Sequence, residues 1–126
     1  MTDESADNDQ MRGALLPGRV GLFVRLSANP GGRTGLLDAL HRYADRLALE
    51  PNTEAFVIAL DPDDEDVVWL YEWFTDEAGL EAHRLSEPFV ELVTEIPELL
   101  ASPPGLLRID PLRLHLQTAM LDDTVV

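Results

Sequence analysis

Residues 67 to 74 read VVWLYEWF. Side chains alternate across a β-strand, so a strand with one wet face reads apolar, polar, apolar, polar. Here Val67, Trp69, Tyr71 and Trp73 fall on one side, and Val68, Leu70, Glu72 and Phe74 on the other. Both sides are apolar or aromatic, with a single carboxylate among them. A chain carrying this strand has to cover both faces of its sheet, and it places Glu72 under one of the covers.

The rest of the sequence supplies cover for one face. VGLFVRLS (20–27) alternates as a strand and ends at the turn NPGG (29–32). Thr34 is placed to cap a helix in which Leu36, Leu40, Ala44 and Leu47 recur at helical spacing, flanked by Leu37 and Tyr43. EPNT (50–53) stops that helix, because the residue before a proline is pushed out of the helical region. EAFVIALD (54–61) reads as a second strand, joined to VVWLYEWF by the acidic turn DPDDED (61–66) in an antiparallel hairpin. Thr75 or Asp76 caps a short helix, and Ser86 caps the next, with Pro88 in its first turn. Phe89, Leu92, Val93, Ile96, Leu99 and Leu100 line one side of that helix, and Pro97 kinks or restarts it. LLRIDPLRLHL (106–116) reads as a last strand, irregular or at an edge because Pro111 lies inside it.

The order strand, helix, strand, strand, helix, strand is that of an α+β, ferredoxin-like split βαβ sandwich. Its helices cover one sheet face. By strand parity the other carries Phe23, Trp69, Tyr71 and Trp73, an association surface in the making. Burying one large side chain is worth about 1.5–3 kcal/mol, so a homodimer through this sheet face is expected. The aromatic stripe is read as packing, with Arg25 on the same face meeting an acid of the partner chain.

The length of 126 residues suits one domain, placed at residues 19–116 between a disordered acidic tail (1–18) and a C-terminal tail (117–126). Asp and Glu number 24 against nine basic residues, all Arg, for a formal charge of −15. Nucleic acid and anionic membranes need a positive footprint, so neither is an expected partner. Without cysteine there is no disulfide framework and no thiolate chemistry. No apolar run reaches membrane-spanning length and the acidic start is not a secretory signal, so a cytoplasmic location is expected. His41 and His115 read as peripheral, and no histidine spacing suggests a metal site. The acidic turn lacks the pattern of a calcium loop, and no glycine-rich phosphate loop is present. Neither a metal nor a cofactor is expected.

One pair of residues suggests chemistry. Parity turns Glu72 toward the helices with Leu70 and Phe74, and His83 lies on the helix that follows. A carboxylate and an imidazole in an apolar cleft are held together by mutual need. His83 is then a general base or hydrogen-bond donor to a bound substrate, oriented by Glu72, in a pocket of Leu22, Val24, Leu70, Phe74, Phe89 and Val93. The competing reading makes the pair a latch tying helix to strand.

The spacing Glu72, Phe74, His83, followed by Ser86, Pro88 and Phe89 and preceded by EPNT in place of E-P-G-T, resembles the antibiotic biosynthesis monooxygenase domain over residues 20–112. That family includes small quinol monooxygenases. The resemblance implies a ferredoxin-like dimer whose two sheets face each other, a dimeric α+β barrel. It also implies cofactor-independent oxidation of a phenolic, quinol or anthrone-type small molecule by dioxygen, with His83 and Glu72 as catalytic residues. Asn52 stands where the motif has glycine, and asparagine is the non-glycine residue best able to enter the left-handed region. Haem-degrading relatives use an Asn, a Trp and a His at positions matched here by Val24, His83 and Val93, so haem degradation is not implied. Two other classes remain open. One is an isomerase of the same fold acting on a lactone or a phosphorylated sugar, for which only Arg84 and Arg25 could meet a phosphate. The other is a non-catalytic small-molecule-binding or stress protein.

Overall fold

The alternating apolar runs pair with one another in the computed structural model, which describes residues 11–15, as backbone, and 17–117. In chain order the strands are β1 (Met11–Leu15), β2 (Val20–Ser27), β3 (Thr53–Leu60), β4 (Val67–Phe74), β5 (Gly105–Ile109) and β6 (Arg113–Gln117). The helices are α1 (Arg33–Ala44), α2 (Glu77–Leu85) and α3 (Glu87–Glu95), with short 3-10 turns at Leu47–Leu49 and Ile96–Leu99. Four strands form an antiparallel sheet in the order β3-β4-β2-β5. Each helical crossover therefore joins a central strand to an outer one, which is the ferredoxin-like split βαβ arrangement.

The register keeps the parity of the sequence. Glu72 stands opposite Leu22 of β2 and Phe56 of β3, and Leu70 stands opposite Val24 and Ile58. One irregularity occurs early in β3, between Thr53 and Ala55, and β4 runs straight past it. On the helix side Val24, Leu26, Val68 and Leu70 pack against Leu36, Ala39, Leu40 and Tyr43 of α1 and Leu92 of α3. A smaller cluster of Val20, Phe74 and Leu80 lies under α2.

Helix starts follow their capping chemistry in two cases of three. Asp76 Oδ1 accepts from the Gly79 N–H at 2.7 Å, and Ser86 Oγ accepts from the Phe89 N–H at 3.3 Å. Thr34 does not cap α1, which begins at Arg33 after Gly32. The entry turn is held instead by the Gly32 N–H on the Asn29 carbonyl (2.7 Å) and by Asp66 Oδ1, which accepts from the Gly31 N–H (3.0 Å). Asn52 does not enter the left-handed region: among the described residues only glycines have positive φ. The Thr53 N–H bonds the Glu50 carbonyl at 3.0 Å across Pro51 and Asn52. A turn of this length with proline second needs a positive φ only in its type II form, so asparagine is accommodated without one.

Two further expectations change. The single last strand is two, because the chain breaks around Asp110–Leu112 as Pro111 withholds a donor. β5 pairs with β2, while β6 pairs with β1 in a separate two-stranded sheet that belongs to a second compact unit. Residues 11–15, expected within a disordered tail, supply that first strand. The expectations for residues 1–10 and 118–126 lie outside the described residues. No helix of the described residues is long and apolar enough to cross a membrane.

Candidate active site

The Asp76 cap starts α2 three residues after β4 ends, so the helix folds straight back over the strand it leaves. Gly79, Leu80 and His83 share its buried face, at the three- and four-residue spacing of one helical stripe. The His83 ring lies between Phe74 and Phe89, with centroids 4.7 and 4.0 Å away. Packing on both sides fixes the plane of the imidazole.

Its nitrogens meet different partners. Nδ1 is 2.8 Å from Glu50 Oε1 and 3.1 Å from the Tyr43 hydroxyl. Glu50 also accepts from the Tyr43 O–H (3.0 Å) and the Thr53 O–H (2.9 Å) at Oε1, and from Ser86 Oγ (2.9 Å) at Oε2. An ionised carboxylate only accepts, so Nδ1 carries a hydrogen that it donates to Glu50. Nε2 is left with its lone pair, 3.8 Å from Glu72 Oε1. That gap is too wide for a hydrogen bond. Glu50, not Glu72, therefore orients His83.

Glu72 makes no side-chain hydrogen bond among the described residues, although it is buried. Yet no fully enclosed side-chain nitrogen or oxygen there lacks a partner. Its carboxylate therefore reaches open space, and that space is a cavity of about 450 Å³ between the sheet and the helices. Leu22, Val24, Leu70, Phe89 and Val93 line it, with Val93 half-exposed. Phe74 does not line it. That side chain is fully buried beneath the imidazole, packed with Val20 and Leu80, and supports His83 from below. The remaining wall is almost wholly apolar, and Arg84 is its one cation.

Burial acts on the two groups in opposite senses. It pushes the Glu72 carboxyl up to about 7, helped by the nearby charge of Glu50. It holds His83 below the ordinary imidazole value, outweighing the lift from the Glu50 contact. It also drives the Tyr43 hydroxyl far upward, so that group stays protonated. Near neutrality the cavity holds a neutral imidazole and a half-protonated carboxyl.

Glu50 and Tyr43 were not among the expected site residues. EPNT carried the signal for the first, but its glutamate reads from sequence as the end of a helix. His41 is exposed on α1 and His115 is exposed on β6. Among the described residues no group of three or more His, Cys, Asp or Glu is placed to hold a metal ion. In the acidic turn, Asp61 instead accepts from Trp69 Nε1 and from two backbone N–H groups of its own loop.

On the opposite sheet face Phe23 stacks on Tyr71 at 4.6 Å, and Tyr71 meets Trp73 edge-on at 5.5 Å. The Arg25 guanidinium lies 5.9 Å over the Trp69 ring and bonds Ser27 Oγ. Trp73 is buried, Trp69 and Tyr71 are half-buried, and Phe23, Val57 and Leu107 are exposed.

Comparison with known proteins bears on the family and the fold. The family described as antibiotic biosynthesis monooxygenase matches residues 19–95. The chain is similar to NE2512 of Nitrosomonas europaea, a protein of unknown function, at 30% identity over 72% of this chain and 86% of that one, with a TM-score of 0.64. It shares its fold with a Caulobacter crescentus protein described as a candidate antibiotic biosynthesis monooxygenase, at 18% identity over 76% and 92% of the two chains, TM-score 0.70. It also shares it with Rv0793 of Mycobacterium tuberculosis, at 20% identity over 74% and 94%, TM-score 0.68. No curated protein matches the chain.

Proposed function

The chain belongs to the antibiotic biosynthesis monooxygenase family, and we propose that it is a cofactor-independent monooxygenase acting on a phenolic, quinol or anthrone-type molecule with dioxygen. One observation carries the reading: two proton-handling groups, His83 Nε2 and the Glu72 carboxyl, line an apolar cavity, and neither has a hydrogen-bond partner among the described residues.

The chemistry asks little more of a protein. An electron-rich phenol or anthrone reduces dioxygen once it has lost a proton. For an anthrone, one ring carbon exchanges its two hydrogens for one oxygen atom, and the second oxygen leaves as water. The chain's part is to bind a flat apolar ring system, exclude water, and move protons at fixed positions. Neutral His83 takes the proton at Nε2. Glu72, protonated up to about pH 7, donates to a substrate oxygen. Environments that push two titrating groups apart divide acid and base roles in this way. Leu22, Val24, Leu70, Phe89 and Val93 grip the rings. The aromatic sheet face, with Phe23, Trp69, Tyr71 and Trp73, is the surface through which two copies pair.

Oxygen consumption with a panel of hydroquinones and anthrones, without added metal or flavin, tests the reading. Uptake is expected, and His83→Ala is expected to abolish at least ~99% of it, at the low end of general-base effects, while the fold is retained. A second reading has its own support in Glu50, whose three other donors, Tyr43, Thr53 and Ser86, would hold it against His83 whether or not the cavity turns over. Tight anthrone binding with no uptake over the whole panel would favour that alternative, a small-molecule-binding protein.

A further inference from the structure

We propose that Glu50 is the positioning residue of the reaction: from behind the imidazole it fixes the Nδ1–H form of His83 and supplies the charge that balances the imidazolium when Nε2 takes the substrate's proton. The inference rests on the reading of the cavity as a site of deprotonation.

The geometry separates Glu50 from Glu72. Glu50 Oε1 is within hydrogen-bond reach of the ring and Glu72 is not. Its own carboxylate is held from four elements or their junctions: Tyr43 on α1, Thr53 at the start of β3, His83 on α2, and Ser86 between α2 and α3. The turn that carries it is closed by the Thr53 N–H on its carbonyl. A carboxylate tied this firmly keeps one oxygen aimed at Nδ1.

Charge argues further than geometry. The donors around Glu50 are two hydroxyls that give to it alone, a third shared with the His83 carbonyl, and an imidazole that is neutral at rest. No arginine of the described residues pairs with it. The cluster therefore holds one buried negative charge without a cation. It becomes balanced only when His83 gains a proton. Preorganised charge of this kind favours the state that forms during reaction over the resting one. A latch would need no such charge, since apolar residues tie a helix to a sheet as well or better. The titrating and charged groups facing His83 are Tyr43, Glu50, Glu72 and Arg84.

Behind the ring a crevice of about 60 Å³ is lined by Glu50, Asn52, Thr53, His83 and Ser86. It reaches the carboxylate from the side away from the main cavity, and it gives a small anion access to that position.

The test uses the full chain with Glu50→Gln and Glu50→Ala. Glutamine keeps the size and the acceptor oxygen but removes the charge. Glu50→Gln is expected to keep the melting temperature, the Nδ1–H signature of His83 in ¹⁵N NMR, and the affinity for a non-reacting phenol measured without oxygen. The titration midpoint of His83 should fall as the Glu50 charge is removed, and kcat ~100-fold at constant KM, the low end of general-base effects. In Glu50→Ala, formate should restore at least a tenth of the lost kcat, and chloride or formamide should restore none. An unchanged His83 midpoint in Glu50→Gln, or no rescue by formate in a folded Glu50→Ala, overturns the proposal. Should Glu50→Gln fail to fold, the formate arm decides alone. Absence of oxygen uptake by the parent chain overturns the monooxygenase reading instead, and the NMR arms still report whether Glu50 sets the form and affinity of the imidazole.

Discussion

Glu72 and His83 respond to the same burial with opposite dependence on pH. Folded Glu72 keeps its proton up to about pH 7 against an ordinary 4.5, so between those values the folded state holds more protons than the unfolded one. Stability from this group is therefore present below pH 4.5 and lost as pH rises through 7, by about 3 kcal/mol in all. Folded His83 binds its proton less readily than the ordinary 6.5, so its contribution is lost as pH falls below that value. Glu72→Gln mimics the protonated carboxyl. It should be more stable than the parent by about 3 kcal/mol at pH 8 and equal to it near pH 4, measured by urea unfolding. If Glu72 serves as a donor, the same variant keeps its turnover above pH 7 where the parent declines. Equal stability at both pH values would contradict the burial argument. The facing of Glu72 was legible in the sequence, because strand period alone assigns it. The partner of His83 was not. Tyr43, Glu50, His83 and Ser86 meet only through tertiary approach, and a glutamate before a proline looks the same whether it ends in water or under a helix.

At the scale of elements, α2 is the piece that delivers the imidazole, and its first turn is tightly specified. Glycine inside a helix is ordinarily worse than alanine by about 1 kcal/mol. At Gly79 the order should reverse. A Cβ there would stand 2.6 Å from Thr75 Oγ1 and 3.1 Å from the Asn52 Cβ. Gly79→Ala is expected to lower stability by about 1–3 kcal/mol in thermal or urea unfolding, as overpacking does. Adding Thr75→Ala should recover part of that loss. A stabilised Gly79→Ala would show that α2 shifts freely. Capping chemistry was readable for α2 and α3, where Asp76 and Ser86 directly precede the helices. It failed for α1, because the NPGG turn is closed from outside by Asp66, 35 residues away. The last strand failed for a related reason. Pro111 marked a defect, and only the pairing of Arg113–Gln117 with Met11–Leu15 shows that the chain leaves one sheet for another.

For the whole molecule, the order of elements and their apolar periods were enough to give the ferredoxin-like sheet, since local pattern and topology agree over its four strands. The outward sheet face is open to a direct test of association. Tyr71→Arg, placed in the middle of the Phe23–Tyr71–Trp73 ladder, should convert a dimer at micromolar concentration into a monomer in analytical ultracentrifugation. A parent chain that sediments as a monomer would remove the dimer from the account. The inward face has a different asymmetry. Both outer strands bound the cavity and are paired along one side only, β3 through Phe56 and β5 through Leu106, but β5 is the shorter (five residues against eight) and leaves its leucine 68% exposed. β5 is therefore the more loosely fastened wall, hung like a door on one edge. Strands with a single neighbour open far below the cost of global unfolding. Amide hydrogens of Gly105–Ile109 should exchange well before those of β2 and β4, and a bound ring system should slow them selectively. Where product leaves past Leu106, the rate at which this strand breathes limits its release, whatever the speed of the proton transfers behind it.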